Sequence, residues 1–328
     1  MFIHILATGS ALPDHEVSNA FFEQRLDTTD EWIISRTGIH SRRLSAGQTT
    51  TDLAAAAAAQ ALANSKLTPD DIDLVICATM TPDTRAPSVA CRVRDALGIK
   101  RAVAFDLNAA CTGFIYALSV ARGLMETGAY HNALIIGAET LSTITDFEDR
   151  STCILFADGA GAALLGQTAE DGLPFGRGRL LADCLESVPD TDGVLVCGYP
   201  VADTPFMSTD NEPHHVVMNG KRVFSFAVGA MMEAIETVMN QASLPISSLR
   251  RIVPHQANTR IISSVAARMG IDPELFYVNL QTRGNTSSAS IPIALHELAE
   301  AGGLARGDLV LLVGFGAGLT TGAVLIEW

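Results

Sequence analysis

With 328 residues, 48% hydrophobic and 18% charged, the chain can bury a sizeable core in one large or two medium domains and is too apolar to be disordered or fibrous. A net charge of −14 argues against a nucleic-acid partner, which needs a basic surface. The six cysteines (Cys77, Cys91, Cys111, Cys153, Cys184, Cys197) form no CxxC pair, which argues against a disulfide scaffold or structural zinc.

The N-terminus lacks a basic leader, and residues 3–8 read as a strand closed by Gly9 to Pro13, not as a signal peptide. No apolar run reaches the ~18 residues of a membrane span. The expectation is a cytoplasmic protein with no membrane contact. Asp27 to Asp30 supplies caps for a helix carrying Trp32. An alanine-rich helix is predicted from residue 50 to about 65, and a strand over 74–79. A loop with Pro82 and Pro87, a helix through Leu97 and a strand over 103–107 come next. Phe114, Ala117, Leu118, Ala121 and Leu124 fall at helical spacing as far as Gly128. Strands are predicted over 133–137 and 154–165. From 171 to 216 helix periods vanish, and strands and loops are expected. A second series follows: a helix over 223–242, a turn and strand over 247–258, a helix over 261–269, a short strand over 276–280, a helix over 291–301, and two closing strands around a glycine turn.

The two series read as one pattern used twice, with the Cys111 turn in the slot that Asn285 takes in the second half. Alternating strands and helices argue for an α/β layered fold, with halves at 1–170 and 171–328. The glycines at 159–161 and 314–318 are not dinucleotide fingers, because the second set is followed by a strand and the chain end. His214 and His215 lack a companion ligand, so no metal site is expected.

Three residues carry the chemistry. Cys111 sits where a strand hands over to a helix. There, free N–H groups and the helix dipole favour a thiolate, the nucleophilic form. His255 ends a strand in Val253-Pro-His-Gln-Ala-Asn258, and Asn285 lies in Arg283-Gly-Asn-Thr-Ser-Ser288. Read singly, each has a plain structural role: a small buried hydrophobe, a core histidine, a turn former. Together each follows a short strand, at a small-residue turn before a helix.

These segments, with Ala110-Cys-Thr-Gly-Phe114 and Gly314-Phe-Gly-Ala-Gly318, resemble the active-site motifs of the thiolase superfamily. More narrowly, they resemble β-ketoacyl-acyl-carrier-protein synthase III, over nearly the whole chain. The resemblance implies a duplicated five-layer α-β-α-β-α fold, a homodimer, and decarboxylative condensation of an acyl-CoA primer with malonyl-acyl-carrier protein, needing no cofactor. It implies Cys111, His255 and Asn285 as catalytic residues and the N–H groups of Cys111 and Ala317 as the oxyanion hole. Trp32, Arg36, Arg150, Gly220, Ala257 and Asn258 match CoA and pantetheine contacts; Arg260, Arg268, Lys221 and Arg222 match a carrier-protein docking patch. Ser225 stands where some relatives have a docking lysine. Ala86 replaces a phenylalanine that fills the acyl pocket across the dimer in acetyl-specific relatives, which implies longer or branched primers unless Met80, Phe206 or another side chain fills the gap. A secondary-metabolism acyltransferase and a non-catalytic partner subunit are the alternatives; the intact triad argues against the latter.

Overall fold

A computed structural model describes residues 2–168, 177–198 and 214–328. Nine strands join in one hydrogen-bonded order: β1 (Phe2–Ala11), β2 (Leu74–Ala78), β3 (Val103–Leu107), β4 (Asn132–Thr140), β5 (Asp158–Thr168), β6 (Arg177–Ser187), β7 (Leu249–Pro254), β8 (Leu309–Gly316) and β9 (Thr320–Glu327). The spatial order β7-β8-β9-β6-β1-β5-β4-β2-β3 is one topology written twice. In the first half β1, β5 and β4 pair antiparallel, and β4, β2 and β3 parallel. In the second half β6, β9 and β8 pair antiparallel, and β8 and β7 parallel. The halves meet in a short antiparallel contact between β1 and β6.

Helices cover both faces, which is why the strands read as near-continuous apolar runs; all five residues of β2 are buried. Helix α2 (Thr50–Ala63), following α1 (Asp30–Thr37), starts at a capping box in which Thr49 and Asp52 satisfy each other's backbone donors. Its buried Leu53, Ala54, Ala57, Ala58 and Ala61, with Val89 and Val93 of α3 (Val89–Ala96), form the outer core on the first sheet half. Helix α4 (Gly113–Glu126) and, further on, α7 (Ser290–Glu300) lie between the two halves, so they are apolar nearly all round: Phe114, Ile115, Leu118, Ile291, Leu295 and Leu298 are buried against both. Helices α5 (Gly220–Gln241) and α6 (Thr259–Met269) close the far side through Met231, Ile235, Val265 and Ala266. The expected five layers, helix-sheet-helix-sheet-helix, are thus present.

Two expectations change. The strand predicted over 154–165 begins only at Asp158, because residues 155 and 157 bond the backbone of Asn285 instead (Asn285 N–H to Leu155 O, 2.9 Å; Ala157 N–H to Asn285 O, 2.8 Å). The strand over 276–280 shrinks to one bridge between Phe276 and Ile252. The Gln256 side chain takes over there, donating to Tyr277 O at 3.0 Å and accepting from Asn279 N–H at 3.1 Å. The stretch 171–216 supplies β6 and a two-residue pairing of Leu195–Val196 with Val217–Met218; Phe206 and the boundary at 170/171 lie outside the described residues.

Candidate active site

The turns that carry Cys111 and Asn285 are built the same way. Asn108 Oδ1 accepts from Ala110 N–H at 3.0 Å, and Asn285 Oδ1 accepts from Ser287 N–H at 2.9 Å. In both, the second residue is a non-glycine at positive φ, Ala110 at 46° and Ser287 at 49°. A 3-10 turn follows (Ala110–Thr112, Ser287–Ala289), then a middle-layer helix. This register corrects the sequence-based pairing: the counterpart of Asn285 is Asn108, and that of Cys111 is Ser288. The duplication therefore places Cys111 and Asn285 at different steps of the same turn.

The Cys111 turn docks on β8 and on the Asn285 turn, which in turn lies against β4, where a Cβ on Gly137 would stand 2.4 Å from Ser288 O. A Cβ on Gly316 would stand 2.9 Å from Cys111 N, so only glycine lets β8 pass this close to the nucleophile's backbone. Thr112 Oγ1 and Thr320 Oγ1 lie 2.7 Å apart and tie the Cys111 turn to the start of β9. His255, buried at the end of β7, has its N–H bonded to Val313 O at 2.8 Å. Its ring meets Phe315 edge-on with centroids 5.3 Å apart. His255 Nδ1 is 2.7 Å from Ser290 Oγ, five residues past Asn285. The Ser287 hydroxyl lies 3.2 Å from Glu139 Oε1 and 3.9 Å from Met80 Sδ. Segment 285–290 thus reaches Glu139 through Ser287 and the imidazole through Ser290. Since the Asn285 carbonyl oxygen is already bonded, its Nδ2 is the end left to donate to a ligand.

The electrostatics correct a second expectation. Burial pushes the Cys111 thiol up to about 12, outweighing the Ser287 hydroxyl and its own N–H, while Glu139 adds to the rise. The helix dipole does not win at rest, and Cys111 is a thiol. Burial also holds His255 down at about 3, so it is neutral. Glu139, at the end of β4 (Asn132–Thr140) and missed in the sequence, is pushed up by burial to about 7 despite donors all round it.

These shifts set an acid dependence. The unfolded chain binds more protons than the folded one at His255 between about 3 and 6.5, so stability falls as pH drops through that range. Glu139 acts oppositely between 4.5 and about 7, binding its proton more readily when folded. The two offset each other in the overlap, and the steepest acid loss is expected between about pH 3 and 4.5. Equilibrium unfolding across pH should show a shallower acid limb in His255→Gln; an unchanged limb would mean the buried imidazole is not its source.

A cavity of about 740 Å³ opens beside the Cys111 turn, lined by Met80, Leu107, Ala110, Tyr116, Leu195 and Ala317 among others. Met80 thus faces it, whereas Ala86 is exposed and is not part of this lining. Trp32, Arg36 and Arg150 come together: the Arg150 guanidinium lies 4.8 Å and that of Arg36 5.8 Å from the indole centroid. Asn258 caps α6, accepting from Arg260 N–H, and its amide donates to Arg36 O at 3.0 Å, joining that cluster to the segment with Ala257 and His255. Gly220 and Lys221 are exposed at the start of α5. Arg260 lies 5.9 Å from the Phe224 ring there, which gathers the first residues of α5 and α6 into one patch. Arg222 is less available than expected, being paired with Asp192 at 2.5 Å, and Arg268 sits in the last turn of α6, about 12 Å along the axis from Arg260. Among the described residues no group of three or more His, Cys, Asp or Glu could hold a metal ion, and no helix is long and apolar enough to cross a membrane.

A family model described as 3-oxoacyl-[acyl-carrier-protein (ACP)] synthase III matches residues 105–183, and its C-terminal counterpart matches residues 239–328. A beta-ketoacyl-[acyl-carrier-protein] synthase III from Clostridium acetobutylicum is 43% identical over 99% of this chain and 98% of its own. The crystal structure of 3-oxoacyl-[acyl-carrier-protein] synthase III from Aquifex aeolicus VF5 superposes with a TM-score of 0.91 at 41% identity, covering 99% of this chain and 100% of that one. The priming beta-ketosynthase of the R1128 polyketide biosynthetic pathway superposes at 0.88 with 35% identity, over 99% and 96% of the two chains. Full-length identity, the duplicated fold and the paired turns agree: the chain belongs to the β-ketoacyl-acyl-carrier-protein synthase III family of thiolase-fold condensing acyltransferases.

Proposed function

We propose that this chain starts fatty-acid synthesis by joining an acyl-CoA primer to malonyl-acyl-carrier protein, with Cys111, His255 and Asn285 as its catalytic residues. The observation that carries the reading is the 285–290 segment, which packs on the Cys111 turn and bonds His255 through Ser290. The Cys111 sulfur attacks the acyl-CoA carbonyl, and its proton leaves with the CoA sulfur. The N–H groups of Cys111 and Ala317 hold the oxyanion. Malonyl-acyl-carrier protein then loses CO2, while His255 and Asn285 donate to the thioester oxygen that becomes the enolate. Gln256 N–H already donates to Ser290 Oγ at 3.4 Å, so we assign the Ser290 proton to His255 Nδ1 and the imidazole proton to Nε2, facing the substrate. The enolate carbon attacks acyl-Cys111 and expels the Cys111 thiolate, giving a 3-oxoacyl product; a proton from solvent then returns the thiol. Decarboxylation supplies the driving force, so the reading needs no cofactor.

The remaining assignments follow the same reading. The stacked Trp32, Arg36 and Arg150 take the adenine and phosphates of CoA, and Gly220, Ala257 and Asn258 line the pantetheine path. Arg260, Lys221 and Arg222, with Arg268 at the margin, receive the acidic carrier protein. Residues 1–170 and 171–328 are the two halves that meet at the site, in a cytoplasmic enzyme. The outer edge of β3, with Val103 45% exposed and no strand beyond it among the described residues, supports a homodimer paired along that edge; sedimentation at the mass of one chain would exclude it.

One kinetic panel tests these roles together. Straight and branched acyl-CoA primers of rising length are assayed with malonyl-acyl-carrier protein, reading product mass. Butyryl- or isobutyryl-CoA should be turned over at rates near acetyl-CoA, and Ala86→Phe should narrow the range to acetyl. Trp32→Ala should raise KM for every acyl-CoA about tenfold with kcat little changed, whereas Arg260→Glu should raise KM for malonyl-acyl-carrier protein alone. Rates with longer primers far below acetyl-CoA would remove the primer assignment. No 3-oxoacyl product with any primer would favour the secondary-metabolism alternative.

A further inference from the structure

Among the described residues the largest fully buried side chain is a cation, and the condensation as derived gives it no task. Arg42 is 0% exposed and lies on the short strand Ser41–Arg43, opposite Val17. Its guanidinium stands 4.6 Å from the Phe22 ring centroid and donates only to neutral acceptors. One amino group reaches Val17 O at 3.3 Å and Asn19 Oδ1 at 2.9 Å, and the other reaches Ile154 O at 2.7 Å. A buried charge with no counter-charge is unfavourable, so a purely space-filling role does not account for it. The chain it holds leads to the Asn285 turn. Ile154 precedes Leu155, whose oxygen accepts from Asn285 N–H at 2.9 Å, and Ala157 N–H returns to Asn285 O at 2.8 Å. Gly284, at φ 67°, is pressed against Arg42 itself: a Cβ there would stand 3.0 Å from Arg42 Cβ and 2.9 Å from Ala157 Cβ. His40, two residues before Arg42, donates its N–H to Gln281 O at 2.8 Å, in the short helix Leu280–Arg283. The other arm of the fork leads to α1, since Asn19 Nδ2 donates to Asp30 Oδ1 at 2.8 Å, at the start of the helix carrying Trp32.

We propose that Arg42 is a positioning residue for the condensation: braced on Asn19, its guanidinium fixes the Ile154 carbonyl, and with it the 155–157 backbone that sets the place of Asn285. This rests on Asn285 donating to the enolate. Asn285 acts through Nδ2 while its Oδ1 is bound to Ser287 N–H, so its amide can aim only where its own backbone is aimed. That backbone is held by its two bonds to 155–157, and a misplacement of about 1 Å at a reacting group can cost about 10²-fold. A planar guanidinium donates in two divergent directions at once, which a point-charge ammonium does not reproduce. None of these bonds involves the Cys111 turn, which docks instead on Gly316 of β8. Arg42 therefore bears on the enolate step and not on acylation.

Arg42→Met and Arg42→Lys test this beside Asn285→Ala. Arg42→Met deletes all three bonds, so kcat for decarboxylation of malonyl-acyl-carrier protein should fall about 10- to 100-fold with KM little changed. Acylation of Cys111 by acetyl-CoA should keep the rate of the unaltered protein. Arg42→Lys keeps the charge but not the fork, and it carries the test where Arg42→Met does not fold. It should lose about tenfold at the same step. Combined with Asn285→Ala, either substitution should add no further loss, since the group being positioned is gone. With no substrate present, hydrogen exchange at the Asn285 amide should quicken in both variants. Equal losses in acylation and decarboxylation, additive losses in the double variant, or unchanged exchange would each overturn the proposal. Normal decarboxylation by Asn285→Ala alone is instead the failure of the enolate reading, and exchange still reports whether Arg42 sets the Asn285 backbone.

Discussion

Cys111→Ala is expected to abolish condensation, lowering kcat by at least about 10⁴-fold, and to leave no acyl adduct after incubation with acetyl-CoA. The unaltered protein should gain the mass of one acyl group on the peptide carrying Cys111. The rival nucleophile is Cys197, which lines the same cavity, and Cys197→Ser should keep both the adduct and the rate. What distinguishes the two is the company each sulfur keeps. Cys111 sits in a turn packed on the Asn285 turn and close against Gly316, whereas the Cys197 sulfur is placed to donate to Gly198 O at 3.7 Å. Since the Cys111 thiol is pushed up to about 12, its alkylation should be slow at neutral pH and climb throughout the alkaline range. Slow idle labelling with fast acylation by acyl-CoA is the expected signature, because the thiol then sheds its proton only as the thioester carbonyl arrives. Cys111→Ala should still decarboxylate malonyl-acyl-carrier protein, since the groups assigned to the enolate remain. Turnover surviving in Cys111→Ala would end the acyl-cysteine account.

The proposed residues Cys111, His255 and Asn285 stood out in the sequence because each follows a short strand at a turn before a helix, and such turns leave a local signature of Gly, Ala, Ser and Asn. The family resemblance then joined them. Glu139 was not legible. A glutamate at the end of an apolar strand looks like a solvated terminus, and the serines that satisfy it come from the other half of the chain. Ser287 was quoted in its motif without a role, since nothing local says that its φ is positive or that Glu139 lies beside it. The thiolate expectation failed for a related reason. A helix dipole is visible from the order of elements, but desolvation depends on what the far half of the fold lays over the sulfur. The five layers were readable from element order and repetition. The register of the repeat was not, because Asn108 carries no motif and only the matching turns, with φ of 46° and 49° at Ala110 and Ser287, identify it as the twin of Asn285.

His255→Ala and Asn285→Ala should do the converse of the nucleophile variant: acyl-Cys111 should still form, while decarboxylation of malonyl-acyl-carrier protein falls by about 10²–10³ for each. The two donors are assigned to one oxygen, and charge reaches that oxygen only as CO2 departs, so they act at the transition state far more than on bound substrate. KM for malonyl-acyl-carrier protein should therefore move little while kcat collapses. The double variant should lose less than the product of the single losses, since one donor cannot hold the enolate in register without the other. The imidazole works neutral, held down at about 3 by burial, so the rate of decarboxylation should show no acid limb from His255 between pH 5 and 8, a window centred near an ordinary histidine. Ser290→Ala should cost a smaller factor of about ten, by freeing Nδ1 to take the proton that Ser290, 2.7 Å away, keeps on Nε2. A normal decarboxylation rate in His255→Ala would move the enolate elsewhere in the fold.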